Sequence, residues 1–242
     1  MYCEPFTYDY YRKFLYEAAE RSLVTSLKGT VGQDNFILLR HDVDFSFEYA
    51  HQLFQVEREF NITSTYFFLV TGYSYNILNS EYRKGLKEMV SAGFEIGLHF
   101  DPTVYPDLPD DELTKKCYFE KSILEEIIEE EVVSVSLHNP SVHGNYVMFD
   151  KMLNAYDPDI FCDAQYLSDS CFSMRGKDML DFVSQTPSKK QVLIHPMHWH
   201  ENKKTYHDVF AEHIRLVKRN IHKGFSVNRT YLAELEQKRV AL

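Results

Sequence analysis

"ILLRHDVDFS", residues 37–46, reads as a buried strand that ends in a burst of charge. Ile37, Leu38 and Leu39 have the character of core. Arg40, His41, Asp42 and Asp44 then follow, with Val43 the only apolar residue among them. Two carboxylates, an imidazole and a guanidinium are costly to bury together unless they are paired, hydrogen-bonded or bound to a metal. Side chains two apart on a strand face the same way. Arg40, Asp42 and Asp44 therefore share a face if the strand persists, while His41 points elsewhere and is read as structural.

The same pattern recurs three times. "FEIGLHFD" (94–101), "VVSVSLHNP" (132–140) and "QVLIHP" (191–196) each run apolar and end in histidine or acid. Helix-like stretches lie between them: 47–60, 80–93 with Gly93 as a stop, 110–130, and 205–224 near the end. A further strand is expected over 63–70, and an opening helix over about 8–27 precedes the first of these strands. Alternating strands and helices imply an α/β protein with a mostly parallel sheet. In such folds the carboxyl ends of the strands share one face, where active sites are built. Any one of these histidines is most simply a satisfied structural residue. Asp42, Asp44, His99, His138 and His195 arriving together at one edge is much harder to read that way.

The bulk composition narrows the class. The chain has 242 residues, 44% hydrophobic and 15% aromatic, enough for a real core and against disorder. No linker or repeat divides it, so one domain over 1–242 is expected. The net charge of −10, without a Lys/Arg-rich block, argues against a nucleic-acid partner. The acid run "EEIIEEE" (125–131) is read as a solvated helix end. Cys3, Cys117, Cys162 and Cys171 lack both CxxC spacing and disulfide density, so reduced thiols are expected. The first residues lack the basic start and apolar stretch of a signal peptide, and no apolar run reaches membrane-spanning length. A cytoplasmic location is expected on these grounds.

Paired carboxylates beside imidazoles are the ingredients of a divalent metal site with a free base next to it. The motifs "LRHDVD", "EIGLHFD" and "VLIHP", in that order, resemble those of the polysaccharide deacetylases, the NodB-homology group or carbohydrate esterase family 4. The resemblance covers about residues 36–200. It implies a distorted, incomplete (β/α) TIM-like barrel of about seven strands, and removal of N- or O-acetyl groups from sugars on a divalent metal. By the same resemblance Asp42 is the base, Asp44 a metal ligand, His99 another ligand, and His195 the general acid, with Leu193 lining the acetyl-methyl pocket. The family's second histidine ligand stands four residues after the first, where this chain has Thr103. His138 is the candidate replacement, at a strand end where the family carries an Arg-Pro motif that orients the base. Arg40 or Arg175 then remains to steady Asp42. Asp169 in "YLSDS" (166–170) is a candidate partner for the catalytic histidine.

In "HPMHWH" (195–200), His198 and His200 are read as pocket wall or surface, with metal binding the competing role. Trp199, the sole tryptophan, is a candidate to close over a sugar. His143 is read as a loop residue. The expected protein is a zinc- or other divalent-metal-dependent hydrolase, with Asp44, His99 and His138 as ligands, acting on an acetylated sugar. A nucleotide- or lipid-linked precursor of a surface polysaccharide is the expected substrate. Two alternatives stand beside it: a metal-dependent hydrolase of a non-sugar amide or ester, and a non-catalytic member that binds sugar or a partner after losing its full metal site.

Overall fold

The computed structural model describes residues 3–162, 165–185 and 189–240. The chain divides into two compact units, 1–203 and 204–242. The first unit opens with α1 (Tyr8–Ala19), whose first turn is capped by Thr7 Oγ1 accepting from the Tyr10 amide at 3.2 Å. The helix expected to continue to residue 27 stops there. Leu23–Thr25 instead form β1, a short strand beside the lower half of β2 (Phe36–Val43). The β-branched Val24 and Thr25 are better accommodated in a strand than in a helix interior.

Strands and helices then alternate as the periodicity predicts: α2 (Phe47–Arg58), β3 (Thr65–Leu69), α3 (Ser80–Ser91), β4 (Glu95–Phe100), α4 (Asp110–Ile128) and β5 (Ser134–Leu137). Gly93, at φ 87°, ends the α3 segment in the left-handed conformation glycine adopts freely. A short helix α5 (Pro140–His143), β6 (Leu153–Asn154), β7 (Tyr166–Ser168), α6 (Met179–Ser184) and β8 (Lys189–Ile194) complete the unit. The second unit comprises α7 (Tyr206–Phe225), opened by a Thr205–Asp208 capping box, and α8 (Arg229–Val240).

Every described strand pairing is parallel, in the order β6-β5-β4-β3-β2-β8-β7, with β1 an additional neighbour of β2. Seven strands curl into an incomplete α/β barrel that is open between β6 and β7. The connection between those two strands carries Tyr156 and Phe161, and β7 opens with Tyr166. Their rings meet at centroid distances of 4.9 Å (Tyr156–Phe161) and 4.8 Å (Phe161–Tyr166), so aromatic side chains occupy the side that backbone pairing leaves open.

All eight residues of β2 are buried, as a central parallel strand covered on both faces requires. Ile37 and Leu39 join the cluster that holds Phe14 and Leu15 of α1, while Leu38 belongs to the cluster containing Phe67. His41 also faces outward, where its Nε2 lies 2.7 Å from Glu57 and its ring stacks on Tyr66. Glu57 itself accepts from Tyr11 and Ser64, so one buried carboxylate ties α1, α2 and the β2–β3 pair together. The structural role expected for His41 is what this contact gives it. At Gly97 of β4 an added Cβ would lie 2.4 Å from the Phe67 ring and 2.7 Å from Ser134 Oγ, so only glycine fits opposite that phenylalanine.

Another buried acid has no such set of donors. Glu120 of α4 is 1% exposed and accepts from Tyr105 Oη at 2.7 Å. Burial pushes its pKa up to about 7, and the Tyr105 bond offsets only part of that. An acid with a raised folded pKa contributes stability that is complete below its ordinary value and lost as pH climbs through the folded one. Wild-type protein is therefore expected to lose about 3 kcal/mol between pH values near 4.5 and above 7 through this group. Glu120→Gln should flatten that slope in denaturation curves; an unchanged slope would contradict the assignment.

Candidate active site

The carboxyl ends of β2, β4, β5 and β8 open into one cleft of about 320 Å³. Asp42, Asp44, His99, His138, Leu193 and His195 all line it, together with Arg175. A separate cavity of about 360 Å³, lined by Leu27, Phe36 and Lys189, includes no histidine and lies at the other end of these strands.

Three donors converge at the floor of the cleft. Asp44 Oδ1 lies 3.0 Å from His99 Nε2 and 3.2 Å from His138 Nδ1, and the two nitrogens are 3.2 Å apart. Ligands at ~2.0–2.1 Å from a tetrahedral zinc ion stand roughly 3.3 Å from one another, so this triangle has the right size. The proton positions support the same reading. His99 Nδ1 is 2.9 Å from the Ser136 carbonyl, which can only accept, so Nδ1 carries the hydrogen and Nε2 presents a lone pair. A lone pair facing a carboxylate oxygen is repulsive until a proton or a cation stands between them. These residues could hold a metal ion.

His138 reaches this place because its amide donates to the Phe100 carbonyl at 2.8 Å, extending the β4–β5 ladder by one residue. Its Nε2 lies 2.9 Å from the Asn139 side-chain amide. For Nδ1 to offer a lone pair, Nε2 must hold the proton and Asn139 must turn its carbonyl oxygen toward it. Thr103 is engaged elsewhere: its amide and hydroxyl both donate to Asp101 Oδ1, at 2.9 and 2.6 Å, in a one-turn 3-10 helix.

Burial opposes the charge on Asp44; with protons rather than a cation in that gap, hydrogen bonds from His138 and His99 outweigh it and hold the carboxyl well below its ordinary range. Asp42 is in a different setting. Its Oδ2 accepts from Ser136 Oγ at 3.1 Å and lies 3.5 Å from the Arg40 guanidinium, while Oδ1 has no hydrogen-bond partner. Arg40 is fully buried, donates to Tyr156 Oη at 3.1 Å and packs 4.7 Å over that ring. Of the two arginines considered for steadying Asp42, Arg40 is therefore the one beside it. Arg175 is exposed and lines the cleft away from this pair.

Across the cleft, His195 Nδ1 is 2.6 Å from Asp169 Oδ1, and its Nε2 is 3.8 Å from Asp44 Oδ2. Burial lowers the His195 pKa, but the charge and hydrogen bond of Asp169 more than compensate and push it up to about 9. Asp169 is fully buried and also receives the His195 amide at 2.9 Å and Trp199 Nε1–H at 2.9 Å, with His198 Nδ1 at 3.3 Å. Trp199 is thus placed differently from the expectation that it closes over a sugar. It is fully buried against Phe6 and Tyr11 and supports the site from behind. His198 is likewise buried on Asp169, and His143 ends the short helix α5.

Sequence reasoning missed Ser136, which contacts both Asp42 and the His99 ring. The alternation "SVSLH" (134–138) did place Ser136 on the face of His138, and that was the available signal. It also missed the aromatic wall of Tyr146, Tyr156, Phe161 and Tyr166.

No protein-family model and no curated protein matches the chain. Solved structures do. The peptidoglycan deacetylase PdaC of Bacillus subtilis (mutant D285S) is 18% identical over 86% of this chain and 98% of its own, with a TM-score of 0.46. The chitin deacetylase of Colletotrichum lindemuthianum is 12% identical over 77% and 84%, with a TM-score of 0.48. A CE4 family pseudoenzyme from Bacillus anthracis is 13% identical over 78% and 62%, with a TM-score of 0.42. The chain is similar to all three.

Asp169→Ala removes the shared acceptor of His195, His198 and Trp199 while leaving their donors buried. Breaking a buried charged cluster from one side costs about 3–5 kcal/mol. Denaturant unfolding at neutral pH should show a loss of that size, and a loss below 1 kcal/mol would mean the cluster is not held as described.

Proposed function

We propose that this protein is a metal-dependent hydrolase that removes an acyl group from a sugar, a divergent member of the polysaccharide deacetylases. The observation that carries the reading is that Asp42 and His195 line the same cleft as the Asp44–His99–His138 triangle. The carboxylate is steadied on a single oxygen with the other left open, and the imidazole is biased toward its protonated form.

Asp44 Oδ1, His99 Nε2 and His138 Nδ1 would hold a divalent cation, and their nitrogen and oxygen donors favour zinc. Such a cation supplies Lewis acidity, polarising an acyl oxygen and easing the deprotonation of water. Asp42 Oδ1 takes the proton from the attacking water, while Ser136 and Arg40 hold Oδ2 in place. His195, oriented through Nδ1 by Asp169, presents Nε2 to the cleft and gives its proton to the departing amine or hydroxyl. Leu193 lines the cleft beside His195 and offers an apolar surface for the acyl methyl.

The cleft volume suits one sugar ring and its acyl group. The rings of Tyr146, Tyr156, Phe161 and Tyr166 offer flat apolar faces to the C–H surface of a pyranose, and Arg175 stands at the cleft as a substrate contact. The four described cysteines are all free, which fits a reducing compartment and a cytoplasmic, nucleotide- or lipid-linked precursor of a surface polysaccharide. A non-catalytic binding role is the second reading, favoured by Thr103 standing where the family has its second histidine ligand.

Asp42→Asn should abolish release of acetate from acetylated sugars while metal content stays equal to wild type. His138→Ala should remove both. Metal analysis of protein purified without chelator, beside an acetate-release assay, checks the two variants together. Stoichiometric metal in His138→Ala would overturn the ligand assignment. Metal-loaded wild type that binds sugar without hydrolysing any acetylated one would favour the second reading.

A further inference from the structure

The second compact unit differs in charge from the rest of the chain. Residues 204–242 carry eight Lys or Arg against four Asp or Glu, a net +4 in a chain whose total is −10. Half of that net charge sits on α7. Its acids, Asp208 and Glu212, lie in the first two turns, and none follows from 213 to 225, where Arg215, Lys218, Arg219 and Lys223 stand. Arg215, Lys218 and Arg219 have no acidic partner among the described residues.

The same helix exposes an apolar stripe. Phe210, Ile214, Val217, Ile221 and Phe225 recur at spacings of four and three, which places them along one side of a helix. Ile214 is 66% exposed, Ile221 58% and Phe225 57%. Lys218 and His222 lie immediately beside the stripe, with Arg215 and Arg219 one row further round, and these four together with Lys223 line a shallow concave surface. Val209 and His213, on the other edge of the stripe, are buried. The helix thus carries an exposed apolar stripe bordered by a basic row, with burial confined to Val209 and His213 in its first two turns.

We propose that α7 binds the surface of an anionic lipid membrane. An exposed apolar stripe bordered by cations is the arrangement that lies in a membrane interface: the stripe enters the boundary between headgroups and acyl chains, and the basic row meets lipid phosphates. Lys and Arg stems can lie along the apolar boundary while their charged ends stay at headgroup level. No described helix is long and apolar enough to cross a membrane, so α7 lies on the surface. Charge complementarity selects this occupant. Two copies joined stripe to stripe would set one basic row against another, without acids beyond Glu212 to neutralise them. A polyanion such as RNA would satisfy the basic row and leave Ile214, Ile221 and Phe225 in water. Membrane attachment does not depend on the chemistry of the cleft.

The full-length protein should co-sediment with vesicles of phosphatidylcholine and phosphatidylglycerol, and far less with phosphatidylcholine alone. Raising salt should weaken the binding. Ile214→Glu with Ile221→Glu should abolish it. Lys218→Glu with Arg219→Glu should lower affinity for the anionic vesicles at least about tenfold, since each basic residue near such a surface contributes severalfold. These side chains are exposed, and circular dichroism checks that both variants keep their helix content. Wild type that ignores anionic vesicles would overturn the proposal, as would binding indifferent to both pairs of substitutions. A dimer in sedimentation velocity, dissolved by Ile221→Glu and without vesicle binding, would assign the stripe to a second copy instead.

Discussion

A guanidinium without solvent contact sits inside the barrel, and the placement of the cleft residues follows from how Arg40 is satisfied. Burying a charge in a protein interior costs several kcal/mol unless partners repay it. Arg40 obtains them from Asp42 on its own strand and from Tyr156 beyond β6, both as a hydrogen-bond acceptor and as an aromatic face. Those two contacts constrain the fold in different ways. The first fixes the face of β2 that points inward, because a one-residue slip would turn Arg40 and Asp42 into the helix layer. The second draws the β6–β7 connection across the opening of an unclosed sheet, bringing Tyr156 with Phe161 and Tyr166 to the cleft wall. The charge that stands beside Asp42 is also what shapes one side of the pocket.

Two carboxylates one residue apart thereby acquire unlike environments. Asp42 stays on the inward face within β2, between Ser136 and Arg40, with one oxygen uncommitted. Asp44 lies past the strand end, where the chain turns toward α2, and two imidazoles meet it there. The separation of base from proposed ligand needs no difference in residue type. It comes from one being inside the last hydrogen-bonded rung and the other outside it. Asp169 represents a third case: fully enclosed by donors, it has no free oxygen for chemistry and serves to orient His195.

Much of this was legible in the sequence because parallel strands covered on both faces advertise themselves as apolar runs, and their polar termini mark one edge. Asp42, Asp44, His99, His138 and His195 were all placed at that edge by position alone. What was not legible depended on contacts distant in sequence. The exchange of helix for strand at Leu23–Thr25 is decided by pairing with Phe36–Leu38, a tertiary partner that local periodicity does not report. Trp199 looked like a sugar platform because a tryptophan near a histidine cluster suits one. Its burial follows from α1, whose Tyr11 packs on the indole from nearly two hundred residues away. The choice between Arg40 and Arg175 was likewise open until the first was found inside the barrel and the second at its rim.

On the proposed function, the ligand that the polysaccharide deacetylases place where Thr103 stands would come from His138 instead. A histidine at 103 would stand on the one-turn helix after β4. His138 stands instead at the first residue past β5, tied to β4 by its amide bond to Phe100. Adjacent strands lie about 4.8 Å apart, so side chains leaving neighbouring strand ends can bring ring nitrogens within ligand distance of each other. The tautomer then matters, because His138 turns Nδ1 toward Asp44 and His99 and leaves Nε2 beside Asn139. Asn139 therefore becomes part of the proposed site, because the atom it presents to Nε2 decides whether Nδ1 carries a proton or a lone pair. Asp101 caps the one-turn helix after β4 by accepting from both the amide and the hydroxyl of Thr103, so Thr103 is engaged in its own turn.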